Sequence, residues 1–173
     1  MTEQPLSRKP PIEASLWTAG GAGLRPSLGQ IGLQQFAPYL INSVSLSWTT
    51  RLAAALKAHA LTTTKMRALA VLSIASPVTI NELSLYALTE QSTMSRTLDA
   101  LEEQGFIQRK ARPEDLRVRD VHITEPGRAV FARVWPEMYD LLLKLFDGVD
   151  NEEYGAFTAT LHKVIANIRK HAI

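Results

Sequence analysis

Over residues 38–59 the apolar positions fall at every fourth residue: Leu40, Val44, Trp48, Leu52 and Leu56. That spacing predicts one long amphipathic helix. Ile41 and Leu46 widen its stripe beyond what one packing partner covers, the mark of a helix that packs on a second subunit. Before it, residues 28–36 form a mildly amphipathic lead-in, interrupted where Pro38 restricts Ala37. After it, Thr62 is placed to cap a second helix carrying Met66, Leu69, Ala70 and Leu72, which ends near Ala75 at the Ser76-Pro77 break. Thr79 and Glu82 have the spacing of a capping box and open a short third helix, with Leu83 and Leu85 partly buried, running to about Ala87. Thr89 is read as the cap of a fourth helix, in which Met94, Leu98 and Leu101 face inward and Gly105 supplies the left-handed end. Two short helices joined by a tight connection, the second polar on its outer face, make a helix-turn-helix.

Beyond Gly105 the period changes from helical to alternating. Phe106-Ile-Gln-Arg109 begins one strand and Val118-Arg-Asp-Val-His-Ile123 ends a second. The stretch between them is too polar for a core hairpin and contains the turn residues Pro113, Glu114 and Asp115. Two further helices follow. Thr124 caps the first, whose apolar positions are Phe131, Val134, Trp135, Met138, Leu141, Leu142 and Leu145, with a kink or local break expected at Pro136. Asp150 and Glu153 form a second capping box ahead of a heptad-like stripe of Tyr154, Phe157, Leu161, Val164, Ile165 and Ile168. The pattern as a whole is mainly α with a small β-wing, a winged helix-turn-helix joined to a helical dimerisation layer. Residues 61–123 are assigned to the winged unit, and residues 28–60 and 124–173 to the helical layer.

Residues 1–27 stand apart. Pro5, Pro10, Pro11, Pro26 and the Gly20-Gly21-Ala22-Gly23 run exclude a regular helix there, so this extension is read as flexible or as docked on a partner subunit through Ile12, Leu16 and Trp17. Composition narrows the function. A formal net charge of +2 over 173 residues means that a nucleic-acid site must be a local patch. The absence of cysteine excludes disulfides and thiolate metal sites. No apolar run approaches the ~20 residues of a membrane span, and the polar start of the chain lacks a secretory signal. The expectation is a cytoplasmic protein without membrane partners. His59, His122, His162 and His171 are scattered, so no metal or other cofactor is expected. Neither a Gly-rich phosphate loop nor a nucleophile elbow is present, and the chain is not expected to be an enzyme.

The candidate chemistry lies on the fourth helix and the hairpin. Gln91, Ser92, Thr93, Ser95 and Arg96 offer an amide, hydroxyls and a guanidinium near a helix start, groups suited to phosphates and base edges; the alternative is an ordinary solvated face. Arg96 has two readings, DNA contact or pairing with Asp99 or Glu103 along the helix. On the hairpin, Arg109, Lys110, Arg112, Arg117 and Arg119 outnumber Glu114 and Asp115, a local basic patch that the overall charge conceals. Arg109 and Arg112 are read either as phosphate clamps or as solvated strand residues.

Taken together, Ser92-Thr-Met-Ser-Arg-Thr-Leu-Asp-Ala-Leu-Glu-Glu-Gln-Gly-Phe-Ile107, the hairpin Pro113-Glu-Asp-Leu-Arg117 and Ile123-Thr-Glu-Pro-Gly-Arg128 resemble the MarR-type (multiple antibiotic resistance regulator) transcription factors. The resemblance covers roughly residues 38–171. It departs from the family pattern at Val118-Arg119, and at Pro126 where a lysine is common. What it implies is a homodimeric, sequence-specific regulator of transcription, a repressor on double-stranded DNA with a pseudo-palindromic operator. Ser92, Thr93, Ser95 and Arg96 would belong to the recognition helix in the major groove, and Arg117 to a wing tip in the adjacent minor groove. It also implies a small aromatic or anionic effector bordered by Trp48, Arg51, His59, Met66 and Arg67, although residues such as Trp48 and Met66 are more often plain core, and Arg51 or Arg67 could instead neutralise a nearby acid. The competing expectation is a helical dimeric protein-interaction module that has lost DNA binding.

Overall fold

The computed structural model describes residues 28–113 and 115–171; the extension assigned to residues 1–27, with Ile12, Leu16 and Trp17, lies outside the described residues. The chain divides into two compact units, Met1–Arg51 and Leu52–Ile173. In the first, a short helix α1 (Leu28–Ile31) and a 3-10 turn (Leu33–Gln35) lead into the long helix α2 (Ala37–Lys57). Pro38 stands in the first turn of α2, where its missing N–H would have had no helical partner. Leu40, Val44 and Ile41 are exposed along this part of α2.

In the second unit, α3 (Thr63–Ile74), β1 (Val78–Thr79), α4 (Ile80–Tyr86), α5 (Gln91–Glu103), β2 (Ile107–Arg112), β3 (Asp115–Ile123), α6 (Glu125–Leu145) and α7 (Asn151–His171) follow in order. The sheet is antiparallel with strand order β1-β3-β2. Leu52 and Leu56 from the end of α2 join Met66, Leu69 and Leu72 of α3, Leu83 of α4, and Met94, Leu98 and Leu101 of α5 in one apolar core. Ile107, Val121 and Val134 close it from the strands and α6. Helix α3 is central, packing against α4, α5, β3 and α6.

Helix starts follow local chemistry where the side chain can reach. Thr62 Oγ1 accepts from Lys65 N at 3.2 Å. At Thr79 the full capping box forms: Glu82 N donates to Thr79 Oγ1 at 3.3 Å and Glu82 Oε2 accepts from Thr79 N at 2.8 Å. Asp150 and Glu153 repeat that exchange at the start of α7, at 2.8 and 3.0 Å. The Thr79 box holds Glu82 below its ordinary carboxyl value, chiefly through the backbone N–H of Thr79.

Some expectations fail. Thr89 does not cap α5: its hydroxyl donates to Ala87 O at 3.0 Å, and Glu90 occupies the cap position with no side-chain bond. Leu88 enters the left-handed region (φ 51) and shifts the helix start to Gln91, leaving Thr89 too far back to reach the first-turn N–H groups. Leu85 is exposed (67%) rather than partly buried, because it lies on the side of α4 away from Leu83. Helix α6 is not broken at Pro136, where a single main-chain donor is lost. A third strand that alternation did not indicate, β1, pairs with β3, while the hairpin strands run on to the turn with Arg112 paired to Asp115 and an irregularity after Ala111.

Candidate nucleic-acid interface

The α5 helix owes its position to its apolar edge. Met94, Leu98 and Leu101 are each 0% exposed, whereas Gln91, Ser92, Thr93 and Arg96 on the other side are exposed and Ser95 is half-buried. An amide, hydroxyls and a guanidinium are thereby gathered at the N-terminal half of one helix, with the core directly behind them. Arg96 makes no ion pair among the described residues, and Asp99, one of its expected partners, is held by Arg109.

The hairpin is attached to α5 by charge. Ile107 and Arg109 share one face of β2 because alternate strand residues point together. Ile107 is buried, and Arg109 follows it against α5. Arg109 Nη1 lies 2.7 Å from Asp99 Oδ1 and Nη2 lies 2.6 Å from Glu102 Oε2, with the Arg109 side chain only 18% exposed. The Glu102 hydrogen bonds raise the Arg109 pKa from its ordinary value, and the same guanidinium holds the Glu102 carboxyl below its own. Further along, Arg112 donates through Nε and Nη2 to Asp120 at 3.1 and 2.6 Å, which likewise keeps Asp120 ionised to lower pH.

The patch is therefore less basic than its composition. Asp99, Glu102 and Asp120 lie outside the stretch that was counted in the sequence, and they occupy two of its guanidinium groups. Lys110 and Arg119 are exposed. Arg117 is placed by its backbone in β3, just past the turn, and its side chain lies outside the described part, as does Glu114. Reading acids three apart on α5 as one face, beside a strand that starts directly after the helix, is the signal by which Asp99 and Glu102 are recognised as partners.

A residue that was not singled out in the sequence also faces this surface. Asn81, in the first turn of α4, accepts through Oδ1 from Gln91 Nε2 at 2.8 Å. With Thr79, Ile80, Val118 and Arg119 the pair lines an open recess between α4, α5 and β3.

Below the hairpin the Ile123-Thr-Glu-Pro-Gly motif has a packing role. Thr124 Oγ1 donates to Gly105 O at 2.7 Å and accepts from Gly127 N at 3.2 Å, and Thr124 N donates to Phe106 O at 3.0 Å. A Cβ at Gly127 would run into the Phe106 carbonyl, so this position needs glycine for space.

The residues considered for an effector separate as follows. His59 is satisfied by Glu137 of α6, with Nε2 and Oε2 2.9 Å apart. Met66 is core at 1% exposure. Arg67 and Trp48 are half-buried, and Arg51 is exposed. Among the described residues no group of three metal-ligating side chains occurs, and no helix is long and apolar enough to cross a membrane.

The MarR family model matches residues 61–118. A crystal structure of a MarR-family transcriptional regulator from Silicibacter pomeroyi is 41% identical, with 86% of this chain and 100% of that one covered and a TM-score of 0.78. An uncharacterized HTH-type transcriptional regulator from Bacillus cereus is 32% identical over 117 residues, 68% of this chain and 76% of its own length. The HTH-type transcriptional repressor IacR of Pseudomonas putida is 25% identical over 143 residues, 83% and 86% of the respective chains.

Proposed function

The chain belongs to the MarR family of transcriptional regulators, and from this premise we propose that it is a repressor that binds a pseudo-palindromic operator as a homodimer. The observation that carries the reading is α5, with Met94, Leu98 and Leu101 buried and Gln91, Ser92, Thr93 and Arg96 exposed beside a hairpin bearing Lys110 and Arg119. Ser95 joins them as a groove contact, with Arg117 entering the minor groove from the wing. Arg109 and Arg112, already engaged by carboxylates, act first in holding the wing and only second on phosphates. Repression is supported by the name of the Pseudomonas putida relative.

The homodimer is supported by the apolar side chains exposed on α7, Tyr154, Phe157, Val164, Ile165 and Ile168, with Trp135, Tyr139 and Leu143 on α6. Such a dimer sets its two recognition helices about one DNA turn, ~34 Å, apart. Release by a small aromatic or anionic effector belongs to the same proposal. Arg51 and Arg67 are each a candidate carboxylate anchor, considered separately, since neither is in an ion pair among the described residues.

A mobility-shift titration of the protein on its own upstream DNA, repeated across salt, tests the reading. Specific retardation whose affinity falls steeply with salt is the expected result. A dimer that retards no DNA would leave the interaction-module alternative in its place.

A further inference from the structure

We propose that Asn81 is a specificity-determining positioning residue: it orients the Gln91 carboxamide so that Gln91 reads an adenine in each half-site of the operator. This rests on α5 being the helix that enters the major groove.

Gln91 is the first residue of α5, and the N-terminal residues of a recognition helix are those that reach base edges. Its side chain is exposed, yet it is not unconstrained. One Nε2 hydrogen is given to Asn81 Oδ1 at 2.8 Å, across ten residues of sequence and from a different helix. Asn81 is itself carried by the first turn of α4, whose start is held by the Thr79–Glu82 capping box. The hydrogen bond thus ties a long, rotamer-rich side chain to a short one on a fixed element. Part of the entropy cost of ordering Gln91 is met before DNA arrives.

In the proposed complex Asn81 takes the Nε2 hydrogen anti to Oε1, which leaves the syn hydrogen and Oε1 for a base. A donor and an acceptor side by side match adenine, which presents N7 as acceptor and N6 as donor in the major groove. Guanine presents N7 and O6, both acceptors, so the held amide would set Oε1 against O6. An unheld glutamine can rotate and offer Nε2 alone, which lowers the penalty for guanine. Discrimination between the two purines therefore depends on Asn81 although Asn81 need not touch the base. The recess formed with Thr79, Ile80, Val118 and Arg119 leaves the pair accessible from the groove side.

The test is selection of binding sites from random duplexes by the full-length protein, followed by affinities on operators altered at single base pairs. Wild type, Gln91→Ala, Asn81→Ala and Asn81→Asp are compared, with melting curves confirming that each is folded. Wild type should prefer adenine over guanine at one position per half-site by on the order of tenfold. Gln91→Ala and Asn81→Ala should both lose most of that preference at the same position, while the remaining positions are still read. Asn81→Asp keeps an acceptor for Nε2, so the adenine preference should persist while affinity for every sequence falls through the added negative charge. A folded Asn81→Ala protein with the full wild-type preference, or one whose preferences all weaken equally, overturns the assignment. So does loss of the preference in Asn81→Asp. If wild type selects no sequence, the reading of α5 as the DNA-contacting helix fails, and this inference fails with it.

Discussion

Arg109 holds Glu102 with its main chain and its side chain at once. The Arg109 amide donates to Oε1 at 2.7 Å, while Nε donates to Oε2 at 2.8 Å. The first strand of the wing is thereby fixed to the penultimate residue of α5, in register with the core residues Leu101 and Ile107. A half-buried, charge-assisted contact of this kind contributes more than an exposed ion pair. Arg109→Ala should lower stability by about 1–3 kcal/mol, read from urea or thermal unfolding. Arg109→Lys should recover only part of it, because an ammonium does not span the fork that Asp99 and Glu102 share.

The same contact sets a pH dependence. Glu102 is held below its ordinary carboxyl value in the folded chain, so on acidification the unfolded chain takes up the proton first. Its stabilisation is fully present above the unfolded value and disappears as pH falls through the lowered folded one. Asp120, held by Arg112, has the same sign. Unfolding free energy should fall on acidification below about pH 5, and the fall should be shallower in Arg109→Ala. An identical slope in both proteins would show that Glu102 carries none of the effect.

Gly127→Ala should be among the most damaging single-methyl changes in the chain. Its Cβ meets the Phe106 carbonyl, and that backbone is already held by Thr124 N. A cost of about 2–3 kcal/mol is expected from overpacking against a fixed backbone, visible as a lower denaturation midpoint. A change confined to a few tenths of that would mean the α5–β2 junction yields easily.

Phe157→Glu combined with Ile165→Glu should convert the dimer to monomer at micromolar concentration. Both side chains are more than two-fifths exposed on α7 (43% and 44%), which suits burial on a second copy. Sedimentation velocity decides it: wild type should sediment as a dimer, with the dissociation constant of the double variant raised more than about tenfold by charges buried without partners. A monomeric wild type would sink the dimer proposal outright.

Arg117→Ala should weaken operator binding by on the order of 1–3 kcal/mol, with Arg117→Lys intermediate. The expectation comes from the position of Arg117 just past the turn of the basic hairpin, where a guanidinium suits the negative potential of a narrow minor groove. Operator titrations with all three proteins, paired with melting curves, separate a DNA contact from a folding defect. Unchanged affinity in the alanine variant would make the wing a solvated hairpin.

The local devices were legible because their partners are a few residues apart. The caps at Thr62, Thr79 and Asp150, the Met94/Leu98/Leu101 edge and the left-handed Gly105 all follow from spacing, and each occurs. Thr89 falls outside this logic for a reason of the same scale: one non-glycine residue at positive φ, Leu88, precedes it, and the cap position falls to Glu90, a shift of one residue that composition does not encode. Pro136 does not end α6, because the loss of one main-chain donor leaves the remaining helical hydrogen bonds in place.

The sequence by itself determined the long helices, the two hairpin strands and the buried edge of α5, because periodicity and capping are local and the residues bearing them lie within about two turns of their partners; the short strand β1 exists only where Val78 and Thr79 meet Val121 and Asp120 in space. Tertiary structure alone decided which charges remain available to a ligand. Arg109 and Arg112 count as basic in any tally of the hairpin, but folding sets one against Asp99 and Glu102 and the other against Asp120. The same holds for Asn81, an unremarked polar residue in the sequence that meets Gln91 only once α4 and α5 pack at their turn. Electrostatic and hydrogen-bond partners across elements depend on distances in space, and those are set by how the apolar edges seat, not by position along the chain.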